Sequence, residues 1–188
     1  CLASLIESKE PCQDWSILIS DDSSTDTTLL KGKRTVEDSL MRVNFMDSGP
    51  RPRNERWVGK NWPCAKAMEK VFTEWVLFLD ADIEVKSDTL LRALSEAIEK
   101  DIDLLSLAPR LTCTCLSEWM VQPIMASLLC VGFPIKETNK PTTSTAFAAG
   151  PFMLFRRNAY EAIGGHKSLS GEVVEDLALA KKIKSSGF

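Results

Sequence analysis

Two aspartates, Asp80 and Asp82, follow the apolar run from Trp75 to Leu79. A run without polar positions is typical of a strand that is buried on both faces of an α/β sheet. Ligands of open parallel sheets bind beyond the carboxyl ends of the strands, and alternation would place both carboxylates on one side of the chain. Such hard oxygen ligands favour Mg²⁺ or Mn²⁺, with substrate phosphates completing the coordination. The alternative is that the two acids only end a strand and cap the next helix.

Asp21 and Asp22 form a second acidic pair, at the end of the buried-strand pattern from Trp15 to Ser20. The Ser, Thr and Asp residues that follow are typical of a turn and a helix start. A turn exposes its carboxylates, which accept hydrogen bonds well from a base N–H or a sugar hydroxyl. The same residues could instead serve only an Asx turn and a helix cap.

A third acidic pair, Glu175 and Asp176, begins a helical pattern that follows Gly164, Gly165 and His166. A carboxylate at this position could act as a general base. Acids in the first turn of a helix are also stabilised by the helix dipole, so a solvent-facing structural role is the alternative.

Three further residues could contact a ligand. His166 is the single histidine, and the glycines before it give the backbone freedom to bring the ring near a phosphate or a metal, although a lone histidine is more often structural. Lys60 follows Gly59 at a predicted helix start and could meet a phosphate. The spacing does not match a P-loop, and a solvated lysine is the alternative. Gly150 could let an acceptor or a sugar approach the backbone, or it could mark a strand bulge.

Strand and helix patterns alternate through the first half of the chain, which indicates βαβ units and a mainly parallel sheet. After Pro109 the alternation weakens. The predicted strands are 15–20, 41–46, 75–80, 103–108 and 146–155, the main predicted helices are 59–72, 87–98, 117–129 and 173–184, and 136–145 is a predicted polar loop.

Composition limits the classes of function. The 188 residues suffice for one domain, and 44% hydrophobic with 26% charged residues is typical of a soluble globular protein. A net charge of -3 without a basic stripe argues against a nucleic-acid partner. The six cysteines lack paired metal spacing, so we expect reduced thiols. The longest apolar stretch, 119–133, is interrupted by Gln122, Pro123 and Gly132, and we expect nothing in the chain to span a bilayer.

Taken together, the three acidic pairs resemble family 2 glycosyltransferases of the GT-A fold, whose pattern is a D-D-x-S-x-D turn, a D-x-D and an E-D at a helix start. The run 59–62, the Leu-Asp-Ala-Asp-Ile run and the Val-Glu-Asp-Leu-Ala-Leu-Ala run are most similar to the ceramide glucosyltransferase-like and hopene-associated branch. The resemblance implies an α/β GT-A, Rossmann-like fold, with a mixed, mainly parallel sheet and helices on both faces. The first strand, a downstream Q-x-x-R-W motif and the membrane segments of that branch are not found. We therefore expect 1–188 to be a single catalytic domain truncated at both ends.

The resemblance implies a donor site. Asp21 and Asp22 would contact the uracil and ribose of a UDP-sugar. Asp82 would bind Mg²⁺ or Mn²⁺ directly, and Asp80 would reach the ribose or the water shell of the metal. Glu84 would complete the coordination. The bound ion would neutralise the charge that builds on the departing UDP.

The resemblance also implies a reaction. Asp176 would be the general base that takes the proton from the acceptor hydroxyl, and a single displacement would invert the anomeric centre. The predicted function is a metal-dependent inverting glycosyltransferase with a nucleotide-sugar donor, UDP-linked, and the hydroxyl of a lipid-type acceptor. It would act at the cytoplasmic face of a membrane, held there by segments outside this chain, and the chain itself would be soluble.

Other classes of function stay open. A haloacid-dehalogenase-type phosphotransferase also uses a D-x-D, but it needs Thr or Val at the position of Glu84. A nucleotidyltransferase would attack the α-phosphate, and the acidic position at Asp176 and the absence of a Gly-rich N-terminal loop argue against it. A noncatalytic nucleotide-sugar binding module could lose Asp176 and keep its whole activity.

Overall fold

The strands of the computed structural model, which describes residues 1–140 and 142–188, form two sheets. In the first sheet, β1 (Ile17–Asp21) pairs in parallel with β2 (Val43–Asp47). In the second sheet, the order is β3 (Trp75–Leu79), β5 (Phe152–Arg156) and β4 (Leu104–Ser106), and β5 is antiparallel to both neighbours. Each of these strands overlaps a strand predicted from the sequence.

Helices connect the strands and follow them. In chain order they are α1 (Leu2–Ile6), α2 (Thr28–Val36), α3 (Asn61–Met68), α4 (Thr89–Glu99), α5 (Leu116–Gly132), α6 (Ile135–Thr138), α7 (Arg157–Ala162) and α8 (Glu175–Ser185), with a 3-10 turn at His166–Leu169. Among these helices of the described residues, none has both the length and the apolar composition that crossing a bilayer requires.

Instead of the single mixed, mainly parallel sheet that was predicted, the described residues form one parallel sheet and one antiparallel sheet. Because β3 and β4 are both antiparallel to β5, they point the same way, as a βαβ unit requires. The sequence pattern of that unit was therefore interpreted correctly. The difference is that β5 lies between β3 and β4, which converts one parallel pair into two antiparallel pairs. Because β5 lies far from β3 and β4 in the sequence, local patterns do not reveal that it pairs between them.

Most boundaries differ from the prediction by a few residues, and three of the differences concern the segments around the site. The strand predicted from 146 begins only at Phe152, because Pro151 has no N–H to donate to a ladder. The helix predicted from Gly59 begins at Asn61, because Gly59 has a φ of +53°, which is not a helical value. The predicted polar loop 136–145 contains part of α6.

Helices cover both faces of the second sheet, as predicted. Met153 and Phe155 pack with side chains of α7 and α8 in one core cluster. Phe152 and Leu154, which alternate with them along β5, pack with side chains of α1 and α4 in another. The strand at the centre of this sheet is thus buried on both faces and gives the site a rigid base.

Candidate functional site

Lys60 joins two of the predicted acidic pairs. Its Nζ donates to Asp80 Oδ1 at 2.6 Å and lies 3.2 Å from Glu175 Oε1. Lys60 precedes α3, Asp80 follows β3, and Glu175 begins α8. Burial alone would lower the pKa of Lys60, but the two carboxylates raise it above its ordinary value. The carboxyl end of β3 is therefore a place that attracts and holds a cation.

Asp82 and Glu84 lie beyond this cluster, and both are exposed. Since β3 ends at Leu79 and a turn follows, strand alternation does not extend to these two residues. The structure therefore does not support the argument that alternation places Asp80, Asp82 and Glu84 on one side. Asp82 and Glu84 stay candidates for contact with a ligand because both are exposed.

The acidic oxygens at this edge fit a divalent cation only in part. Among the residues that the structure describes, no group of three His, Cys, Asp or Glu side chains is placed to hold a metal ion. Mg²⁺ and Mn²⁺ are commonly bound by one or two carboxylates, with water and substrate phosphates as the remaining ligands. Asp80 and Asp82 supply such hard oxygen atoms. The ion pair of Lys60 with Asp80 shows that positive charge is favourable at this position. The residues present fit a metal whose binding depends on the nucleotide.

The turn after β1 places its two acids differently. Asp21 is buried, and its Oδ2 accepts a hydrogen bond from the backbone N–H of Ser24 at 2.9 Å. Asp22 forms an ion pair with Arg51, which also donates to the backbone oxygen of Gly59 at 3.1 Å. Asp21 therefore shapes the turn, whereas Asp22 is joined through Arg51 to the residue before Lys60. No pattern in the sequence indicated this role of Arg51.

Asp176 lies against the backbone before β5. Its Oδ2 accepts from the Gly150 N–H at 2.9 Å, and its Oδ1 accepts from the Leu177 N–H at 2.7 Å. A Cβ at position 150 would lie 2.9 Å from Asp176 Oδ2, so a larger residue there would displace the carboxylate. The sequence identified Gly150 as a point of close approach, and the group that approaches it in the structure is Asp176.

Asn61 is a further residue that positions the site, and the sequence analysis missed it. It is fully buried, and its Nδ2 donates to the backbone oxygens of Leu169 at 2.8 Å and Glu172 at 3.0 Å. These bonds fasten the start of α3 to the loop that leads into α8. Lys60 and Glu175, which adjoin the two fastened segments, are thereby held together. The one available signal was an amide directly after Lys60, in a helix-start position.

His166 is part of the core. It is 2% exposed, and its ring lies with its centroid 4.7 Å from that of Phe78. Its Nδ1 is 2.7 Å from the hydroxyl of Tyr160, which also accepts the backbone N–H of His166 at 2.9 Å. Burial, with a smaller contribution from Lys60, lowers the pKa of His166 to about 4. This geometry favours the structural alternative over the predicted contact with a phosphate or a metal.

The burial of His166 predicts that the chain loses stability in mild acid. The pKa of His166 is about 4 in the folded chain, against an ordinary value of about 6.5, so between these values the unfolded state binds the extra proton. Stability is complete above about pH 6.5 and falls as the pH is lowered toward 4. We expect the free energy of unfolding to decrease by about 2 kcal/mol between about pH 7 and pH 5, measured by urea denaturation.

A His166→Phe variant is the control for that measurement. Because the chain has a single histidine, its removal should abolish the decrease over this interval even if the variant is less stable throughout. An equal slope in the variant and the parent chain would assign the decrease to other groups.

The fold is that of the GT-A glycosyltransferases. The solved mannosyltransferase PcManGT from Pyrobaculum calidifontis, in complex with GDP-Man and Mn²⁺, superposes with a TM-score of 0.71 at 21% identity, over 100% of this chain and 48% of that one. The predicted fold class is thereby confirmed.

The sequence pattern of Glycosyl transferase family 2 matches residues 1–164, and the chain belongs to that family. It is 25% identical to the 4,4'-diaponeurosporenoate glycosyltransferase of Staphylococcus aureus (strain MRSA252) over 189 aligned residues, 100% of this chain and 48% of the relative. The enzyme of the same name from Staphylococcus haemolyticus (strain JCSC1435) is 23% identical over 87% of this chain and 42% of its own length. The chain thus spans about half the length of the curated relatives it matches.

Proposed function

We propose that this chain is the single catalytic domain of a glycosyltransferase that moves a sugar from a nucleoside-diphosphate donor to an oxygen atom of a lipid-like acceptor. The observation that carries the proposal is the contact of Lys60 with Asp80 and Glu175 at the carboxyl end of β3. This contact joins carboxylates of the D-x-D and E-D segments to the ammonium group of Lys60, beside the predicted donor site. Family membership supports the type of reaction.

The donor binds, in this proposal, across the ends of β1 and β3. Asp22, and to a lesser degree the buried Asp21, recognise the base and ribose of a uridine nucleotide. Lys60 donates to a phosphate oxygen when the diphosphate arrives. Asp82 and Asp80 hold Mg²⁺ or Mn²⁺, with Glu84 near them, and the bound ion supplies electrostatic stabilisation of the negative diphosphate. The Mn²⁺ and GDP-Man of the mannosyltransferase structure support a metal-dependent nucleotide site.

The transfer step needs a base when the acceptor is a hydroxyl. Asp176 takes the proton as the acceptor oxygen attacks the anomeric carbon, and the bond to the diphosphate oxygen breaks with its electron pair leaving on UDP. A single displacement inverts the anomeric centre. The carboxylate of Asp176 is fixed by the Gly150 and Leu177 N–H groups, which supports a defined orientation for proton transfer.

A carboxylate acceptor is the second candidate, because the matched relatives are named for a carotenoid acid, 4,4'-diaponeurosporenoate. A carboxylate is already deprotonated near neutral pH and needs no base. Both candidates share an apolar, lipid-like body. They differ in whether Asp176 acts as a proton acceptor, so variants of that residue distinguish them.

Nucleotide binding tests the donor part of the proposal directly. Calorimetric titration of the chain with UDP, GDP and UMP in the presence of Mn²⁺ should give the highest affinity for UDP. UMP should bind at least about tenfold more weakly, because it lacks the second phosphate that Lys60 and the metal contact. Failure of all three nucleotides to bind at millimolar concentration would contradict a donor site in this chain.

Replacement of Lys60 by Met is predicted to change the affinities for metal and nucleotide in opposite directions. Without the ammonium, Asp80 and Glu175 repel each other and attract Mn²⁺ more strongly, whereas UDP loses a charge-assisted hydrogen bond. We expect Mn²⁺ alone to bind more tightly and UDP to bind about tenfold more weakly by calorimetry. Lys66→Met within α3, where the ammonium pairs with Glu69, is the matched control and should change neither affinity. Equal affinities in the Lys60 variant and the parent chain would contradict a role for Lys60 in the site.

A further inference from the structure

The helix α5 has the reverse of the exposure expected of a helix in a water-soluble domain. Its two half-buried residues are Glu118 and Gln122. Its large apolar side chains are half exposed or more, including Leu116, Trp119, Ile124, Leu128 and Val131. A helix whose apolar side chains are more exposed than its polar ones is favourable when its surroundings are themselves apolar.

Two polar side chains of α5, those of Glu118 and Ser127, form hydrogen bonds within the helix and the turn before it. The carboxylate of Glu118 accepts from the backbone N–H of Thr114 at 2.6 Å and that of Cys115 at 3.3 Å, so its charge caps the start of α5. The hydroxyl of Ser127 donates to the backbone oxygen of Pro123 at 2.7 Å. From 119 to 135 the sequence contains no Asp, Glu, Lys or Arg. This helix therefore presents little that requires water.

The shape of this apolar surface identifies what covers it. A folded partner protein covers one side of a helix, whereas the apolar side chains of α5 surround it except along the Glu118 and Gln122 stripe. A shallow depression of about 330 Å³ on α5 is lined by side chains of this helix alone, including Ile124 and Leu128, so it is an open face and not an enclosed ligand pocket. The hydrocarbon of a lipid bilayer is the medium that covers such a surface on several sides at once.

The length of α5 determines how it meets a bilayer. Its 17 residues extend over about 25 Å, less than the roughly 30 Å of a hydrocarbon core, and Pro123 interrupts its hydrogen bonding. Trp119 near its start has the amphipathic ring that prefers the level of the lipid headgroups, and the exposed Lys136 follows its end. We propose that α5 inserts into the apolar outer part of one leaflet of a lipid bilayer, without crossing it, and docks the domain on the membrane.

Contacts at the end of α8 fasten the segment that follows α5 to the candidate site. Lys184 Nζ donates to the backbone oxygens of Thr138 at 2.7 Å and Thr145 at 2.6 Å. The same helix begins with Glu175 and Asp176, so the membrane-inserted helix and the predicted base are connected through α8. Docking through α5 would place the acceptor side of the site near lipid. The docking itself requires no catalysis, so it can be tested apart from the proposed function.

Vesicle binding tests the proposal. The chain is mixed with vesicles of equal parts phosphatidylcholine and phosphatidylglycerol, and the bound fraction is measured by sedimentation. The variant Ile124→Glu with Leu128→Glu should bind at least about tenfold more weakly, because two charges then enter the apolar region. The matched control, Leu40→Glu with Phe72→Glu, changes exposed apolar residues outside α5 and should bind as the parent chain does. Binding should persist in high salt, because few charges take part.

Two further measurements make the result decisive. Brominated lipids should quench tryptophan fluorescence in the parent chain, and Trp119→Phe should lose most of that quenching while its circular dichroism is unchanged. Failure of the parent chain to bind vesicles, or equal binding by the α5 variant, would overturn the proposal. A dimer in analytical ultracentrifugation that the α5 variant dissociates, without vesicle binding, would show instead that α5 contacts a second copy of the chain.

Discussion

Replacing Asp176 by Asn is expected to lower turnover by about 100-fold or more in the full-length protein, while the dissociation constant of the UDP-sugar changes by less than about threefold. The amide keeps the size of the carboxylate but cannot accept a proton. Its NH2 group also cannot accept a hydrogen bond, so one of the two bonds that Gly150 and Leu177 donate to Asp176 is lost. Steady-state kinetics with a hydroxyl acceptor and calorimetry with the donor measure the two quantities.

The result distinguishes the roles open to Asp176. Loss of donor affinity together with rate would place Asp176 in the nucleotide site and leave the mechanism without a base. Full activity with a hydroxyl acceptor would support the helix-start role as an acid of α8. Full activity that is limited to carboxylate acceptors would support the carotenoid-acid candidate, because such an acceptor brings no proton to remove.

Gly150 provides an independent way to displace the same carboxylate. Gly150→Ala puts a Cβ 2.9 Å from Asp176 Oδ2 and removes no functional group, so we expect a fall in turnover of about tenfold or more with donor affinity kept. Gly171→Ala is the control, because its Cβ would meet its nearest neighbour, Arg56, at an ordinary 3.8 Å. Equal loss of turnover in both variants would mean that alanine acts through the stability of the fold.

Replacing Asp82 by Ala is expected to abolish the gain in UDP affinity that Mn²⁺ or Mg²⁺ provides. Asp82 is exposed beyond β3. The variant lacks its carboxylate, which in the proposed site binds the divalent ion directly. Calorimetry of UDP binding with the metal and with a chelator should show at least about a tenfold gain in the parent chain and none in the variant.

Glu84→Ala is the informative comparison, because Glu84 is also an exposed acid and lies two residues after Asp82. A partial loss of the metal effect in this variant would support the predicted contribution of Glu84 to the coordination. Metal dependence that is unchanged in the Asp82 variant would remove Asp82 from the metal site, whatever Glu84 does.

Two other classes of function, a phosphotransferase and a noncatalytic binding module, can be compared with the proposed glycosyltransferase. The haloacid-dehalogenase-type phosphotransferase is disfavoured, because the chain belongs to Glycosyl transferase family 2. In addition, Asp80, which would be its nucleophile, is paired with Lys60. A noncatalytic binding module would show the Asp82 effect on nucleotide binding and no effect of Asp176 on any activity.

The sequence predicted best what depends on local pattern. The apolar run before Asp80 forms β3, and the predicted helix at 117–129 is confirmed as α5. The E-D pair begins α8, as its helical pattern indicated. Apolar periodicity and turn residues decide such features within a few positions, and no distant contact is needed to form them.

The remaining features depend on contacts between distant parts of the chain. The position of β5 between β3 and β4 follows from packing over both faces of the sheet, and the pattern of β5 itself does not encode its neighbours. Lys60 and Glu175 come from distant segments of the chain, which the hydrogen bond from Asn61 to Leu169 also holds close together. His166 is buried against Phe78 and bonded to Tyr160, and no spacing rule anticipates these contacts. The exposure of α5 could not be read from composition, because an apolar helix is ordinarily buried.

The anomeric configuration of the product tests the central claim most directly. The full-length protein is supplied with a UDP-sugar of known configuration, Mn²⁺ and lipid acceptors that carry either a hydroxyl or a carboxylate, and the product is examined by NMR. We predict transfer of the sugar to the acceptor oxygen with inverted configuration and release of one UDP for each sugar transferred. A product of retained configuration, or release of UDP without any transfer to either acceptor, would contradict the single-displacement site assigned to Asp82, Lys60 and Asp176.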